Sequence, residues 1–169
     1  MTGLSGAGKT TIAEEAKKIY KALYHKNLAV LDGDEMRKAL CSDLGFTVVD
    51  REENIRRIAH VAKILSDNGV PVIVSTISPT NKIREIAKSI LGDAMKLVYV
   101  SAPLEVCQER DVKGLYQKAR EGRIPNMTGV GSAMASSFEQ PDTYDLMLPT
   151  EEGEDMIHIF GCAVVKLFA

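Results

Sequence analysis

A chain of 169 residues that is 45% hydrophobic and 26% charged can fold around one sizeable core, with no need for a linker or a second domain. Its net charge of -2 supplies no field to gather nucleic acid or an anionic membrane, so any anion must be held by local groups. Three cysteines, Cys41, Cys107 and Cys162, are too few and too scattered for a disulfide framework or a zinc site, and they fit a reducing cytoplasm.

From the N-terminus, Gly3-Leu4-Ser5-Gly6-Ala7-Gly8-Lys9-Thr10 satisfies G-x-x-x-x-G-K-[ST], and Thr10 to about Tyr24 reads as the helix that such a loop opens into. Leu28 to Leu31 is a short apolar run expected to be a buried strand, and Asp34 to Leu40 a short helix. Arg51 to Asn68 places Ile55, Ile58, Ala59, Ala62 and Leu65 at helical spacing, with Gly69 just past its end. Val70 to Val74 is the next strand, Thr80 to Leu91 a helix, and Leu97 to Val100 another strand. Leu104 to Glu121 is expected to be helical in two pieces broken near Gly114, followed by a final strand at Leu146 to Leu148 and a closing helix from Glu152 to Phe168. That closing segment is interrupted by Lys166 and too short to span a bilayer, and no signal-like leader precedes the glycines. Alternating helices and fully apolar strands predict an α/β fold: a P-loop NTPase-type parallel sheet with helices on both faces, three layers in one domain.

One strand is short. A phosphate loop of this type follows a central strand, yet only Met1 and Thr2 precede Gly3, whereas a buried strand needs roughly five residues. The expectation is a first central strand truncated before Met1, with the natural sequence beginning further upstream.

The loop has a direct chemical reading. Glycines at 3, 6 and 8 let successive backbone N–H groups point inward at a helix N-terminus whose dipole favours anions. Lys9 supplies a charge for the β- and γ-phosphates of ATP or a similar nucleotide, and the Thr10 hydroxyl can ligate Mg²⁺. That pattern leaves ATPase, GTPase switch and small-molecule kinase all open. Asp32 and Asp34 follow the first strand at its carboxyl end, where parallel α/β folds hold ligands. Asp32 can orient Mg²⁺ or take a proton from an attacking hydroxyl, and Arg37 can reach an anionic acceptor. The plainer reading of this turn is a strand-to-helix junction with Asp34 as N-cap.

Arg51 and Asn54 share one helical face, but an Arg/Glu-rich first turn is more often a solvated surface, and Arg56 and Arg57 read as ordinary exposed charges. Ile77-Ser78-Pro79 falls at a second strand's carboxyl end. Arg110 to Arg123 is basic enough to form a lid, extending to about residue 130, that closes over phosphates and excludes water.

Taken together, these segments resemble the adenylylsulfate (APS) kinase family. "GLSGAGKTT", "LDGDEMR", "DLGFTVVDREENIRRIAHVAKIL", "ISP", "APLEVCQERDVKGLY" and "KAREG" stand in that family's order from Thr2 to about Thr150. The resemblance implies transfer of the γ-phosphate of ATP to the ribose 3′-OH of adenylyl sulfate, with Mg²⁺, in a cytoplasmic homodimer that in some members is joined to a sulfurylase. It implies a nucleotide site from Gly3 through Leu4, Ser5, Gly6, Ala7, Gly8, Lys9 and Thr10 to Thr11, with Arg110 beside it. Thr10 and Asp32 would serve the metal, and Lys9, Asp32 and Ser78 the reaction. The acceptor would meet Asp34, Arg37, Phe46, Arg51, Asn54, Ile77, Ser78, Lys113 and Leu115, with Phe46 stacked on its adenine and the two arginines on its phosphosulfate. In the family the serine at the position of Ser78 has been described as a phosphoserine intermediate; direct in-line transfer requires none, and Ser78 can instead hydrogen-bond the acceptor.

Four departures from the family pattern cluster on the expected acceptor side: Cys41 in place of asparagine, Met127 in place of phenylalanine, an altered loop over residues 131–136, and Thr80 to Ile83 in place of a more aromatic stretch. Two alternatives therefore stay open, a kinase for the 3′-OH of another activated nucleotide such as cytidine diphosphoramidate, and a weakly active regulatory domain of a sulfurylase fusion.

Overall fold

The computed structural model describes residues 1–124, 126–130, 137–151 and 156–168. The chain runs α1 (Lys9–Tyr24), β1 (Ala29–Asp32), α2 (Gly33–Lys38), α3 (Val48–Asp67), β2 (Val72–Ser75), α4 (Asn81–Leu91), β3 (Val98–Ser101), α5 (Leu104–Arg110), α6 (Leu115–Arg120), β4 (Leu146–Pro149) and α7 (Ile157–Val165). Helix α3 begins three residues earlier than its apolar repeat predicts. The cause is a capping box, in which Thr47 accepts from the Asp50 N–H while the Asp50 carboxylate accepts from the Thr47 N–H. The closing helix is assigned from Ile157, and residues 152–155 of its expected first turn lie outside the described residues.

All strand pairs are parallel: β1 pairs with β2 from Ala29 opposite Val72, and β3 with β4 from Val98 opposite Leu146. Met1 and Thr2 stand between these two pairs. Thr2 donates its N–H to Val98 O at 2.9 Å and accepts from Val100 N–H at 2.9 Å, while Met1 O accepts from Thr76 N–H at 3.4 Å. The expected central strand is thus represented by two residues that join β2 to β3.

Strand alternation separates two helical layers. Ile73 packs with Ile12, Ala16, Phe160 and Val164, residues of α1 and α7. Val72 and Val74 instead line a 130 Å³ hollow with Ile58, Ala59 and Ala62 of α3 and Leu91 of α4. With every strand pointing the same way, Asp32 and Ser75 end their strands on one edge, and Thr150 follows β4 on that edge too. Among the described residues no helix is long and apolar enough to cross a membrane.

The α3 packing can be tested directly. Ile58 is fully buried and Ile64, on the same helix, is exposed. Ile58→Ala should cost about 2–5 kcal/mol of unfolding free energy in urea titration, and Ile64→Ala less than about 0.5 kcal/mol.

Candidate functional site

The phosphate loop is shaped by backbone that only glycine tolerates well. Gly3 has φ +152°, and a Cβ there would stand 2.3 Å from Val100 O; Gly6 has φ +80°, with Cys107 O only 2.9 Å from a Cβ. Because the chain turns so tightly, the carbonyls of Gly3 and Leu4 fold back to within 3.0 and 2.7 Å of Lys9 Nζ and accept from it. Lys9 is buried, and that burial pushes its pKa down to about 8. The rest of the structure braces the loop from outside: Tyr116 donates to Ser5 O at 2.9 Å, and Thr150 Oγ1 to Ala7 O at 2.8 Å.

Asp32 works on two sides. Its Oδ2 accepts from the Thr10 hydroxyl at 2.7 Å, and its Oδ1 accepts from the backbone of Asp34 at 2.9 Å and of Glu35 at 3.4 Å. The N-cap of α2 is therefore Asp32 and not Asp34, because α2 starts directly at Gly33. Asp34 is left free to pair with Lys113, which ties the α5–α6 connection across the cleft to the start of α2.

These groups open on one cavity of 390 Å³. Its floor is the loop from Ser5 to Thr11, and its walls carry Asp32, Asp34, Ile77 and Ser78. Arg110, Lys113 and Leu115 line the α5–α6 side, and Arg37, Phe46, Arg51 and Asn54 the far end. Gly3 and Leu4 stand outside the lining and act through their carbonyls on Lys9.

The far end is a cationic and aromatic corner. Arg37 Cζ lies 4.6 Å and Arg51 Cζ 5.7 Å from the Phe46 ring centre. Arg37 donates to Gly45 O at 2.8 Å, and Arg51 donates to Phe46 O at 3.1 Å and Asn126 O at 2.7 Å. Burial lowers the pKa of both guanidiniums, and for Arg51 the nearby Arg37 adds to the effect. Arg51 and Asn54 are buried, so the first turn of α3 is not the solvated surface that its composition suggested. Asn54 Oδ1 is buried and has no hydrogen-bond partner among the described residues. Arg56 is exposed as expected, whereas Arg57 is half-buried: both bond Glu53 and hold its carboxyl down at about 2, and Arg57 also bonds Asp43.

Several lining residues carry no sequence motif. Ser75 Oγ lies 3.5 Å from Thr10 Oγ1, and Thr76 Oγ1 lies 2.8 Å from Ser78 Oγ. Only the end-of-strand position of Ser75 hinted at its place. Phe160 and Ile157 reach the cavity from α7, distant in sequence from every motif. Two of the four sequence departures move the other way: Cys41 is fully buried and Met127 packs in the main apolar core, and neither lines the cavity. Their apolar sulfur side chains sit behind the wall and pack as core residues. The altered loop, residues 131–136, lies outside the described residues.

Thr10, Asp32 and Ser75 together offer hard oxygen donors beside Lys9, a set that fits a Mg²⁺ ion retaining waters and phosphate oxygens.

A family model described as adenylylsulphate kinase matches residues 1–149. A curated adenylyl-sulfate kinase of Halothermothrix orenii is 50% identical over 153 residues, which cover 89% of this chain and 78% of that relative. Among solved structures, a Mycobacterium tuberculosis APS kinase in complex with AMPPNP and APS superposes with TM-score 0.88 at 38% identity, covering 99% of this chain and 94% of the other. A gluconokinase from Sinorhizobium meliloti, at 14% identity, TM-score 0.66 and coverages of 99% and 90%, shares the fold alone.

Lys9→Ala should weaken ATP binding by about tenfold or more in calorimetric titration while retaining the far-UV circular dichroism of the parent. Unchanged ATP affinity would remove the loop from the nucleotide site.

Proposed function

The chain belongs to the adenylylsulfate kinase family, and from that premise we propose that it transfers the γ-phosphate of ATP to the ribose 3′-OH of adenylyl sulfate, giving 3′-phosphoadenylyl sulfate. The observation that carries the acceptor assignment is the continuity of one cavity from the phosphate loop to the corner of Arg37, Phe46, Arg51 and Asn54. A triphosphate on the loop and a nucleotide in that corner would meet near Asp32.

In this reading Lys9 exchanges its two carbonyl partners for phosphate oxygens as the nucleotide enters, turning an internal contact into a charge-assisted one. Asp32 orients the attacking 3′-hydroxyl and accepts its proton, and its N-cap bonds hold the carboxylate still while it does so. Thr10 and Asp32, with Ser75 behind them, would hold Mg²⁺, which supplies charge neutralisation at the phosphates. Phe46 offers a ring face for the acceptor's adenine, Arg37 and Arg51 offer guanidinium forks for its phosphosulfate, and the orphan Asn54 Oδ1 offers an acceptor for a ligand N–H. Lys113 leaves Asp34 as the α5–α6 segment closes, bringing Arg110, Lys113 and Leu115 over the phosphates and excluding water. Ser78 serves as a hydrogen-bonding group paired with Thr76, and transfer is direct. The proposal extends to a cytoplasmic homodimer, for which sedimentation at micromolar concentration is the test; the exposed Leu40, Val48 and Val49 beside the acceptor corner support self-association.

The decisive experiment supplies ATP and Mg²⁺ with adenylyl sulfate, a panel of other nucleotides, or water alone. Selective formation of 3′-phosphoadenylyl sulfate is expected; transfer to a different nucleotide, or hydrolysis alone, would refute the acceptor assignment. Phe46→Ala should raise the KM for adenylyl sulfate by about tenfold and leave that for ATP within about twofold. EDTA should abolish turnover, and Asp32→Asn should raise the Mg²⁺ concentration for half-maximal rate by roughly tenfold or more.

A further inference from the structure

We propose that Arg84 is a positioning residue for the acceptor: it acts from behind the cavity wall by holding Ile77, Ser78 and Pro79 in the shape that presents them to the cleft. This rests on the reading of that wall as part of the acceptor site. Arg84 lies on α4, is 5% exposed and is not among the residues that line the cavity.

Its guanidinium is fully used. Nη1 donates to Ser78 O at 2.7 Å and to Thr2 Oγ1 at 3.4 Å; Nη2 donates to Glu139 O at 2.8 Å and to Asn81 Oδ1 at 2.6 Å; Nε donates to Asn81 Oδ1 at 3.2 Å. The Phe138 ring centre lies 5.8 Å from Cζ. One side chain thereby joins the wall loop, the start of α4, the Thr2 position between the strand pairs, and the segment before β4.

The loop it holds needs holding. Ser78 has φ +41°, in the left-handed region that non-glycine residues avoid. Both carbonyls of the turn face away from the cavity: Ile77 O accepts from Thr2 Oγ1 at 2.8 Å and from Gly3 N–H at 3.3 Å, and Ser78 O accepts from Arg84. With the carbonyls turned back, the side chains of Ile77 and Ser78 line the cavity. The segment before β4 clamps the other end, since Glu139 N–H donates to Pro79 O at 2.8 Å and Glu139 Oε2 accepts from Asn81 N–H at 2.8 Å. A lysine at position 84 would keep the charge but lose the planar fork that reaches these segments at once.

The test is steady-state kinetics on the full chain, varying adenylyl sulfate and ATP separately, for the parent, Arg84→Lys and Arg84→Met, with thermal melting of each. Arg84→Met is expected to raise the acceptor KM by about tenfold or more and leave the ATP KM within about twofold, with Arg84→Lys in between. Unchanged acceptor KM in a folded variant, or both KM values rising together with a lowered Tm, would overturn the proposal and leave Arg84 a purely structural residue. If Arg84→Met does not fold, Arg84→Lys decides by the same split. A parent protein that phosphorylates no adenylyl sulfate overturns the functional reading and this inference with it, whereas an active parent with indifferent Arg84 variants overturns only the inference.

Discussion

The whole cleft depends on the close approach of Gly3 to β3. With no side chain, the backbone at this position passes so near Val100 O that a Cβ would stand 2.3 Å away, and the chain can leave the sheet in the turn that makes the phosphate loop. That turn sets the two carbonyls on which Lys9 rests, and it starts α1 at Lys9 itself, aiming the helix N-terminus into the cavity. Thr10, one residue on, then falls against Asp32, and Asp32 in turn caps α2. Loop, helix, strand end and second helix are thus locked in sequence by short contacts that begin at one glycine.

Electrostatics divides the cleft into two ends. The loop end balances Lys9 against Asp32 and Asp34, while the far end concentrates Arg37 and Arg51 around one aromatic ring. In a protein with a net charge of -2, this is a local concentration of positive charge and not a global field, as suits a small anionic ligand better than a polymer. Burial makes each guanidinium costly to keep charged, and both meet that cost with backbone carbonyls of the Leu44–Phe46 turn and of Asn126. The Lys113–Asp34 pair bridges the two sides of the cleft.

Parts of this were legible in the chain and parts were not. The phosphate loop, the acidic strand end and the helical repeat of α3 depend on short-range spacing, and spacing is a property of the sequence. Spacing puts Arg51 and Asn54 four residues before Ile55 and Ile58, on the stripe of α3 that is buried, but their own polarity argued for solvent, and only the resemblance to a known family pointed inward. For Cys41 and Met127 only the tertiary structure shows that these apolar sulfur side chains are buried away from the cavity lining. A sequence places helix boundaries only to within a residue or two, so the cap expected at Asp34 falls to Asp32.

The sequence by itself determined the fold class, the anion-binding loop and the family, because each rests on contiguous residues whose spacing is the signal. The tertiary structure alone decided which residues wall the cavity, that Ser75 backs Thr10, that Phe160 reaches in from α7, and that Arg84 holds the Ser78 turn from behind. Most of those relations join residues separated by tens of positions in the chain, such as Thr10 and Ser75 or Arg84 and Glu139, and no local pattern encodes them. They arise only when parallel strands bring their carboxyl ends to one edge and burial forces each polar group to find its partner there.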